Sequence, residues 1–159
     1  SGADRRHLPQ ACMGAVDGGG GPGPVDFDTC THTWAFHTVG PVLVAEAFAH
    51  LVAASNLKTM VAITSGMGSI GDNGSGGYLA YRTSKATLNM AVRTLANDFS
   101  SRRIIAIVLN PGWVKTDMGG SAATRTPEAS VAAMRKVING LGLQDTGKFF
   151  NRSGEEYKW

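Results

Sequence analysis

Tyr81 and Lys85 are the residues of this sequence whose types and spacing are best suited to chemistry. They lie four positions apart at the start of a helical pattern, and a step of four residues rotates by about 400°, which returns to the same helix face. A free tyrosine has a pKa of about 10, but a nearby ammonium and the positive end of a helix both stabilise the phenolate. The spacing therefore predicts a tyrosine with a lowered pKa that acts as a general acid or base.

The pair needs support from elsewhere, because an exposed tyrosine beside a solvated lysine gives the same pattern. Two apolar segments, Lys58–Thr64 and Ile104–Leu109, have the composition of buried strands. Ser65 follows the first strand, where its hydroxyl can donate to a carbonyl oxygen that Tyr81 also protonates. Segment 111–116 follows the second strand and can hold a planar, amide-bearing ring. Because ligands bind beyond the carboxyl ends of parallel strands, we expect these groups to share one site.

Helices and strands alternate along the chain, and this order predicts parallel βαβ units with helices covering the sheet. Asp28 or Thr29 is expected to cap the first helix, which Gly40-Pro41 interrupts. The predicted fold class is α/β, a partial Rossmann-like parallel sheet built from the C-terminal βαβ units. The expected helices span 34–54, 78–99 and 127–138, and the expected strands span 58–64, 104–109 and 147–151.

Composition limits the function classes that remain. The 159 residues are 43% hydrophobic and 17% charged, which is typical of one globular domain. The basic residues behind the net charge of +3 are scattered, so we expect no nucleic-acid partner. No window approaches the roughly 18 apolar residues of a membrane span, so we expect no membrane partner and a cytoplasmic protein. Cys30, His32 and His37 lack a fourth ligand, so we expect no metal.

The first 24 residues differ from the rest of the chain. Gly18–Pro24 is a run of glycine and proline that no regular element tolerates, so residues 1–24 are predicted to form a flexible tail. This run is not a phosphate-binding loop, because such a loop follows a strand and opens a helix. Residues 25–159 are predicted to form the folded, catalytic part.

Several motifs between Val25 and Trp159 together resemble the short-chain dehydrogenase/reductase family, and in particular its small carbonyl-reductase and C-factor-like branch. The segments that carry the resemblance are Phe36-His37-Thr38-Val39-Gly40-Pro41, Ile63-Thr64-Ser65-Gly66-Met67-Gly68-Ser69-Ile70, Tyr81-Arg82-Thr83-Ser84-Lys85-Ala86, Asn110-Pro111-Gly112-Trp113-Val114-Lys115-Thr116-Asp117-Met118 and Gly147-Lys148-Phe149-Phe150-Asn151.

The resemblance implies hydride transfer between NAD or NADP and a small carbonyl or alcohol substrate. It makes Tyr81 the acid/base and Ser65 the group that polarises the substrate oxygen, with Ser69 as the alternative serine. It implies that Lys85 lowers the pKa of Tyr81 and binds the nicotinamide ribose. The residues implied to line the nicotinamide pocket are Pro111, Gly112, Val114 and Thr116.

The chain departs from the family pattern in two ways. The nucleotide-binding N-terminal half is missing, since no Thr-Gly-x-x-x-Gly-x-Gly turn occurs, so we expect a truncated form with weak or no activity alone. His37 stands where the family usually has an asparagine that holds a proton-relay water, and it is either a substitute or a bystander.

The family also implies a homodimer through the helices around 34–54 and 78–99. The alternative to an enzyme is a non-enzymatic remnant that acts as a helix-mediated interaction module.

Overall fold

A three-stranded parallel sheet forms the centre of the molecule. The computed structural model describes residues 26–159, and the tail predicted for residues 1–24 lies outside them. The strands are β1 (Thr59–Ile63), β2 (Ile105–Asn110) and β3 (Phe149–Asn151). They lie in the order β1-β2-β3, with Ile63 opposite Leu109 and Asn110 opposite Asn151. This arrangement confirms the predicted α/β class and the partial Rossmann-like sheet.

The described part of the chain contains four α-helices, and three of them correspond to the predicted segments 34–54, 78–99 and 127–138. They are α1 (Phe27–Trp34), α2 (Gly40–Ala54), α3 (Leu79–Asp98) and α4 (Pro127–Asn139). Thr126 caps α4, accepting a hydrogen bond from the Ala129 amide at 3.3 Å, and Gly140 ends it. Short 3₁₀ turns occur at Gly66–Gly68, Ser100–Arg102 and Leu143–Asp145.

The first helical segment begins and bends differently from the prediction. Its cap is Asp26, whose carboxylate accepts from the amides of Asp28 and Thr29, so the prediction that Asp28 or Thr29 is the cap was wrong. The interruption before Pro41 is a π-helical turn at Ala35–Val39 that joins α1 to α2 without a break. A proline has no amide to donate and fits the first turn of α2, so the helix widens just before it.

Side chains from two helices cover the two faces of β2, which is buried along most of its length. On one face Leu88 and Val92 of α3 pack against Ala106 and Val108, together with Phe149 of β3. On the other face, Met134 and Val137 of α4 pack against β2 together with Phe150 of β3. The residues of β2 on this face are Ile105, Ile107 and Leu109. The central strand therefore has a continuous apolar sequence because both of its faces are core.

The continuous helical stretch Phe27–Ala54 also corrects the sequence analysis. Within residues 26–159, it is the one helix long and apolar enough to cross a membrane by length and composition. The π-helical turn keeps the two apolar segments in one helix, so the statement that no window approaches a membrane span was wrong. A helix that is covered by other protein passes the same test, so length and composition do not distinguish the two cases.

Candidate active site

The carboxyl end of β1 and the first turns of α3 bring together Ser65, Tyr81 and Lys85. The Nζ of Lys85 lies 5.9 Å from the centre of the Tyr81 ring. The Ser65 side chain lies close enough to the Tyr81 phenol to lower its pKa. Lys85 also donates to the backbone oxygen of Ile63 at 3.2 Å, which ties α3 to the end of β1. The three predicted side chains therefore share one site at the expected edge of the sheet.

Burial controls the protonation of Tyr81 and Lys85. Tyr81 is 8% exposed, and burial raises the pKa of its phenol above the usual value, while the hydrogen bond with Ser65 partly opposes this. Burial also lowers the pKa of the Lys85 ammonium. The expectation of a lowered tyrosine pKa was wrong for this chain, because loss of solvent around the phenolate is the largest effect. A phenol that keeps its proton at neutral pH is the form that can donate one.

A buried asparagine, Asn89, connects α3 to the end of β1 and to the 3₁₀ turn at Gly66–Gly68. Its side-chain oxygen accepts from the Thr64 hydroxyl at 2.6 Å, and its side-chain nitrogen donates to the Gly68 oxygen at 3.2 Å. A Cβ on Gly68 would lie 2.8 Å from the Cβ of Lys85, so only glycine allows this approach. Sequence reasoning missed Asn89, and the available signal was a polar residue next to Leu88 on the apolar face of α3.

The glycine loop, Ser65–Gly77, covers the site between β1 and α3. Arg82 holds its far end, because its Nε donates to the oxygens of Gly76 and Gly77 at 3.1 and 3.0 Å and its Nη2 donates to Ser75 at 2.8 Å. The far end of the loop is therefore tied to α3. This role of Arg82 was also missed.

The alternative serine, Ser69, lies in the same loop but has a different environment. It is buried, and its hydroxyl accepts from the Asp72 amide at 3.1 Å. Ser65 instead accepts from the Met67 amide at 3.1 Å and reaches the Tyr81 phenol. Of the two serines, Ser65 therefore has the contact that a substrate-polarising group needs.

His37 lies on the π-helical turn against the site. Its ring meets the Tyr81 ring edge-on at 5.5 Å between centres, and its Nδ1 lies 3.0 Å from the Ser84 hydroxyl. That hydroxyl donates to the Tyr81 backbone oxygen at 2.8 Å, which makes Nδ1 the donor and leaves Nε2 as an acceptor. Burial and then the charge of Lys85 lower the pKa of His37 to about 4, so it is neutral at pH 7. These contacts fit both a relay substitute and a structural neighbour of Tyr81.

Cys30, His32 and His37, the residues considered above as metal ligands, have other environments in the structure. The Nδ1 of His32 lies 2.8 Å from the Asp28 backbone oxygen, and Cys30 is a buried free thiol. Among residues 26–159, no three His, Cys, Asp or Glu side chains gather where they could hold a metal ion.

Pro111 and Gly112 begin the segment that follows β2, the strand next to β1. Gly112 has a φ of +79° and its amide donates to the side-chain oxygen of Asn110 at 3.0 Å. The Pro111 oxygen accepts from the Ser130 hydroxyl of α4 at 2.8 Å. This tight turn needs a glycine, because other residues rarely adopt a left-handed φ.

Val114 and Thr116 continue the same segment in a folded conformation. Val114 forms a parallel β-bridge with Arg125, and the Thr116 hydroxyl accepts from the Gly119 amide at 3.1 Å. The four residues implied for the nicotinamide pocket thus lie on one ordered segment beyond the carboxyl end of the sheet.

Known proteins have sequences and folds similar to those of this chain. C-signal of Myxococcus xanthus is 40% identical over 137 residues, which are 86% of this chain and 82% of that protein. Carbonyl reductase Sniffer of D. melanogaster superposes with a TM-score of 0.80 at 35% identity, over 85% of this chain and 59% of that one. An NADPH-bound carbonyl reductase from chicken fatty liver gives a TM-score of 0.80 at 31% identity, over 86% and 57%.

The chain therefore spans most of the length of C-signal but less than two thirds of either solved reductase. The sequence model of the family described as short chain dehydrogenase matches residues 24–127, which include β1, α3 and β2. The chain belongs to the short-chain dehydrogenase family.

Proposed function

We propose that this chain is the catalytic half of an NAD(P)-dependent oxidoreductase that interconverts small carbonyl compounds and alcohols. The observation that carries the proposal is the meeting of Ser65, Tyr81 and Lys85 at the carboxyl end of the sheet. The NADPH-bound carbonyl reductase that superposes on this chain supports the same chemistry. We further propose a cytoplasmic location.

In the proposed reduction, Tyr81 is the general acid that protonates the carbonyl oxygen. Its raised pKa keeps the phenol protonated until the transfer. Ser65 donates a hydrogen bond to the same oxygen and stabilises the negative charge that develops on it. The Lys85 ammonium stabilises the phenolate left behind, because it lies on the same side of α3.

The residues present fit the nicotinamide end of such a cofactor. An ammonium has three N–H donors, and within residues 26–159 Lys85 uses one of them, on the Ile63 oxygen, which leaves two for ribose hydroxyls. Pro111, Gly112 and the rest of that segment offer backbone groups for the amide-bearing ring. When bound, the nicotinamide supplies or accepts the hydride. The pyrophosphate requires a Gly-rich turn that opens a helix, and this sequence has none.

We propose that a nucleotide-binding βαβ segment, like the one in complete relatives, covers the free edge of β1. Sniffer is matched over 59% of its length, so about two fifths of it lies outside the match. Within residues 26–159 no strand pairs with the outer edge of β1. A groove of about 310 Å³ beside that edge is lined by apolar side chains that include Val44, Phe48 and Val61. Such a surface suits a parallel strand with its covering helix.

A homodimer through the outer faces of the helices is the second part of the proposal. Phe36 and Leu43 on the first helical segment and Met90 on α3 are all more than half exposed, and apolar patches of this kind mark protein interfaces. We expect Leu43→Glu to produce a monomer, whereas Glu46→Gln, a change on the same helix, keeps the dimer. Sedimentation velocity distinguishes the two states, and a wild-type chain that stays monomeric at high concentration contradicts the proposal.

The experiment that tests the catalytic function compares two serines in the chain fused to the N-terminal βαβ segment of a complete relative. We expect Ser65→Ala to lower kcat for aldehyde and ketone reduction by about 10²-fold, since it removes a donor to the reacting oxygen. Ser69→Ala is the matched control, and its loss of a loop hydrogen bond is expected to cost less than about tenfold. The measurement is the loss of NADPH or NADH absorbance with a panel of small carbonyl compounds.

Two outcomes contradict this assignment. Equal activity of the Ser65→Ala variant and the unmodified fusion removes Ser65 from the reaction, and a larger loss in Ser69→Ala transfers the role to Ser69. A fusion that binds cofactor but reduces no compound in the panel favours the alternative, an interaction module that uses the exposed apolar helix faces.

A further inference from the structure

The C-terminal strap, residues 155–159, runs back antiparallel to β3 and ends beside the glycine loop of the candidate active site. The chain reverses after β3, and the Asn151 amide donates to the Glu155 oxygen at 2.9 Å. The Tyr157 amide then donates to the Phe149 oxygen at 2.7 Å. The rings of Tyr157 and Trp159 pack on the Phe149 ring, with centres 4.9 and 5.6 Å apart. Because Phe149 is fully buried, the strap is anchored on the core.

Two hydrogen bonds connect the strap to the glycine loop. The Tyr157 hydroxyl donates to the Asp72 carboxylate at 2.8 Å, across 85 positions of sequence. The Gly71 amide donates to the backbone oxygen of Trp159 at 2.6 Å. The bond to Asp72 raises the pKa of Tyr157, which is the expected effect of a phenol proton held by a carboxylate. The glycine loop is thus held at Gly71 and Asp72 by residues that follow β3.

The same hydroxyl lies against the residue that follows Ser65. A Cβ on Gly66 would lie 2.9 Å from the Tyr157 hydroxyl oxygen and 3.2 Å from the side-chain nitrogen of Asn110. The phenol therefore occupies the space in which Gly66 would otherwise move. With Arg82 holding the far end of the loop, the strap fixes the near end.

We propose that Tyr157 is a positioning residue that, through Asp72 and Gly66, holds the glycine loop so that the Ser65 hydroxyl faces Tyr81. This role rests on the proposed function, because it matters for catalysis only if Ser65 polarises a substrate. The strap itself does not touch the reacting groups. It determines how often the loop has the conformation in which Ser65 is aligned, and so it affects kcat more than cofactor binding.

Hydrogen exchange tests the strap without any enzyme assay. In the full chain, Tyr157→Phe is expected to speed amide exchange at Gly71 and across residues 66–73 by about tenfold or more, the usual effect of losing a hydrogen bond to a charged group. Tyr78→Phe removes the same atom from the tyrosine that directly follows the glycine loop, and it is expected to leave these rates unchanged. Exchange in β2 reports whether the core is intact. Unchanged loop exchange in Tyr157→Phe overturns the proposal.

A double-mutant cycle in the fused enzyme separates positioning from general loss of structure. We expect Tyr157→Phe and Asp72→Ala each to lower kcat by about tenfold with little change in the KM for NADPH, and the double variant to be no worse than either one. Asp72→Asn keeps an oxygen acceptor and is expected to recover part of the activity. Additive losses contradict the proposal. An inactive parent fusion counts against the proposed function alone, since the exchange experiment still decides the strap.

Discussion

Tyr81→Phe is expected to lower kcat for carbonyl reduction by about 10²–10⁴-fold in the fused enzyme, because it removes the proton that the carbonyl oxygen receives. The substitution keeps the ring that meets His37 edge-on and the packing of a residue that is 8% exposed. The affinity for NADPH is therefore expected to change little. Steady-state kinetics with cofactor titration measure both quantities on the same samples.

Tyr78→Phe is the control for this prediction, since it deletes the hydroxyl of a tyrosine at the start of the same helix. It is expected to keep kcat within about threefold of the parent, as for most exposed substitutions. A Tyr81→Phe enzyme that keeps full turnover contradicts the assignment of Tyr81 as the acid. Equal losses in both variants indicate damage to the beginning of α3 rather than loss of a proton donor.

The second large effect concerns the cofactor. We expect the chain alone to bind NADPH and NADH more weakly than about 1 mM, and the fusion to bind one of them at least about 10²-fold more tightly. Lys85 and the segment after β2 offer contacts to the nicotinamide end, but the pyrophosphate depends on a Gly-rich turn, and the pattern Thr-Gly-x-x-x-Gly-x-Gly does not occur in this sequence. Binding energy from remote parts of a ligand is needed to hold its reactive end in place. Isothermal titration calorimetry measures both affinities.

The control is a fusion whose added Gly-rich turn carries alanines, which is expected to bind as weakly as the chain alone. Micromolar affinity of the chain by itself, with turnover that Tyr81→Phe abolishes, contradicts the view that it is only half of a cofactor site. A fusion that folds but gains no affinity supports the non-enzymatic alternative.

The sequence was most informative about features that depend on a single helix or strand, because the spacing of apolar residues within that element reveals them. The helix predicted over 78–99 is α3, with Tyr78 and Phe99 as its flanking residues, because the apolar spacing from Leu88 to Phe99 is long and regular. The strands β1 and β2 were found for a similar reason, since each has a continuous apolar sequence. The four-residue spacing of Tyr81 and Lys85 likewise follows from the helix alone.

Long-range contacts were not predictable in the same way. The bond between Tyr157 and Asp72 joins positions 85 apart, and Asn89 reaches Thr64 across 25. No local pattern carries that information. The pKa of Tyr81 was predicted in the wrong direction because spacing reveals a neighbouring charge, whereas burial depends on the packing of the whole domain. Asp26, Asp28 and Thr29 all have side chains that can cap a helix, and the sequence alone did not select Asp26 over the other two.

The free edge of β1 has a consequence for how this protein behaves at high concentration. One side of that strand presents backbone amides and carbonyls that no strand pairs with within residues 26–159. Its neighbour in the groove, Phe48, is more than half exposed. An open strand edge beside an apolar surface is a template for sheet growth between molecules. The lifetime of the monomeric fold therefore depends on whether this edge meets the covering segment proposed above before it meets another copy of itself.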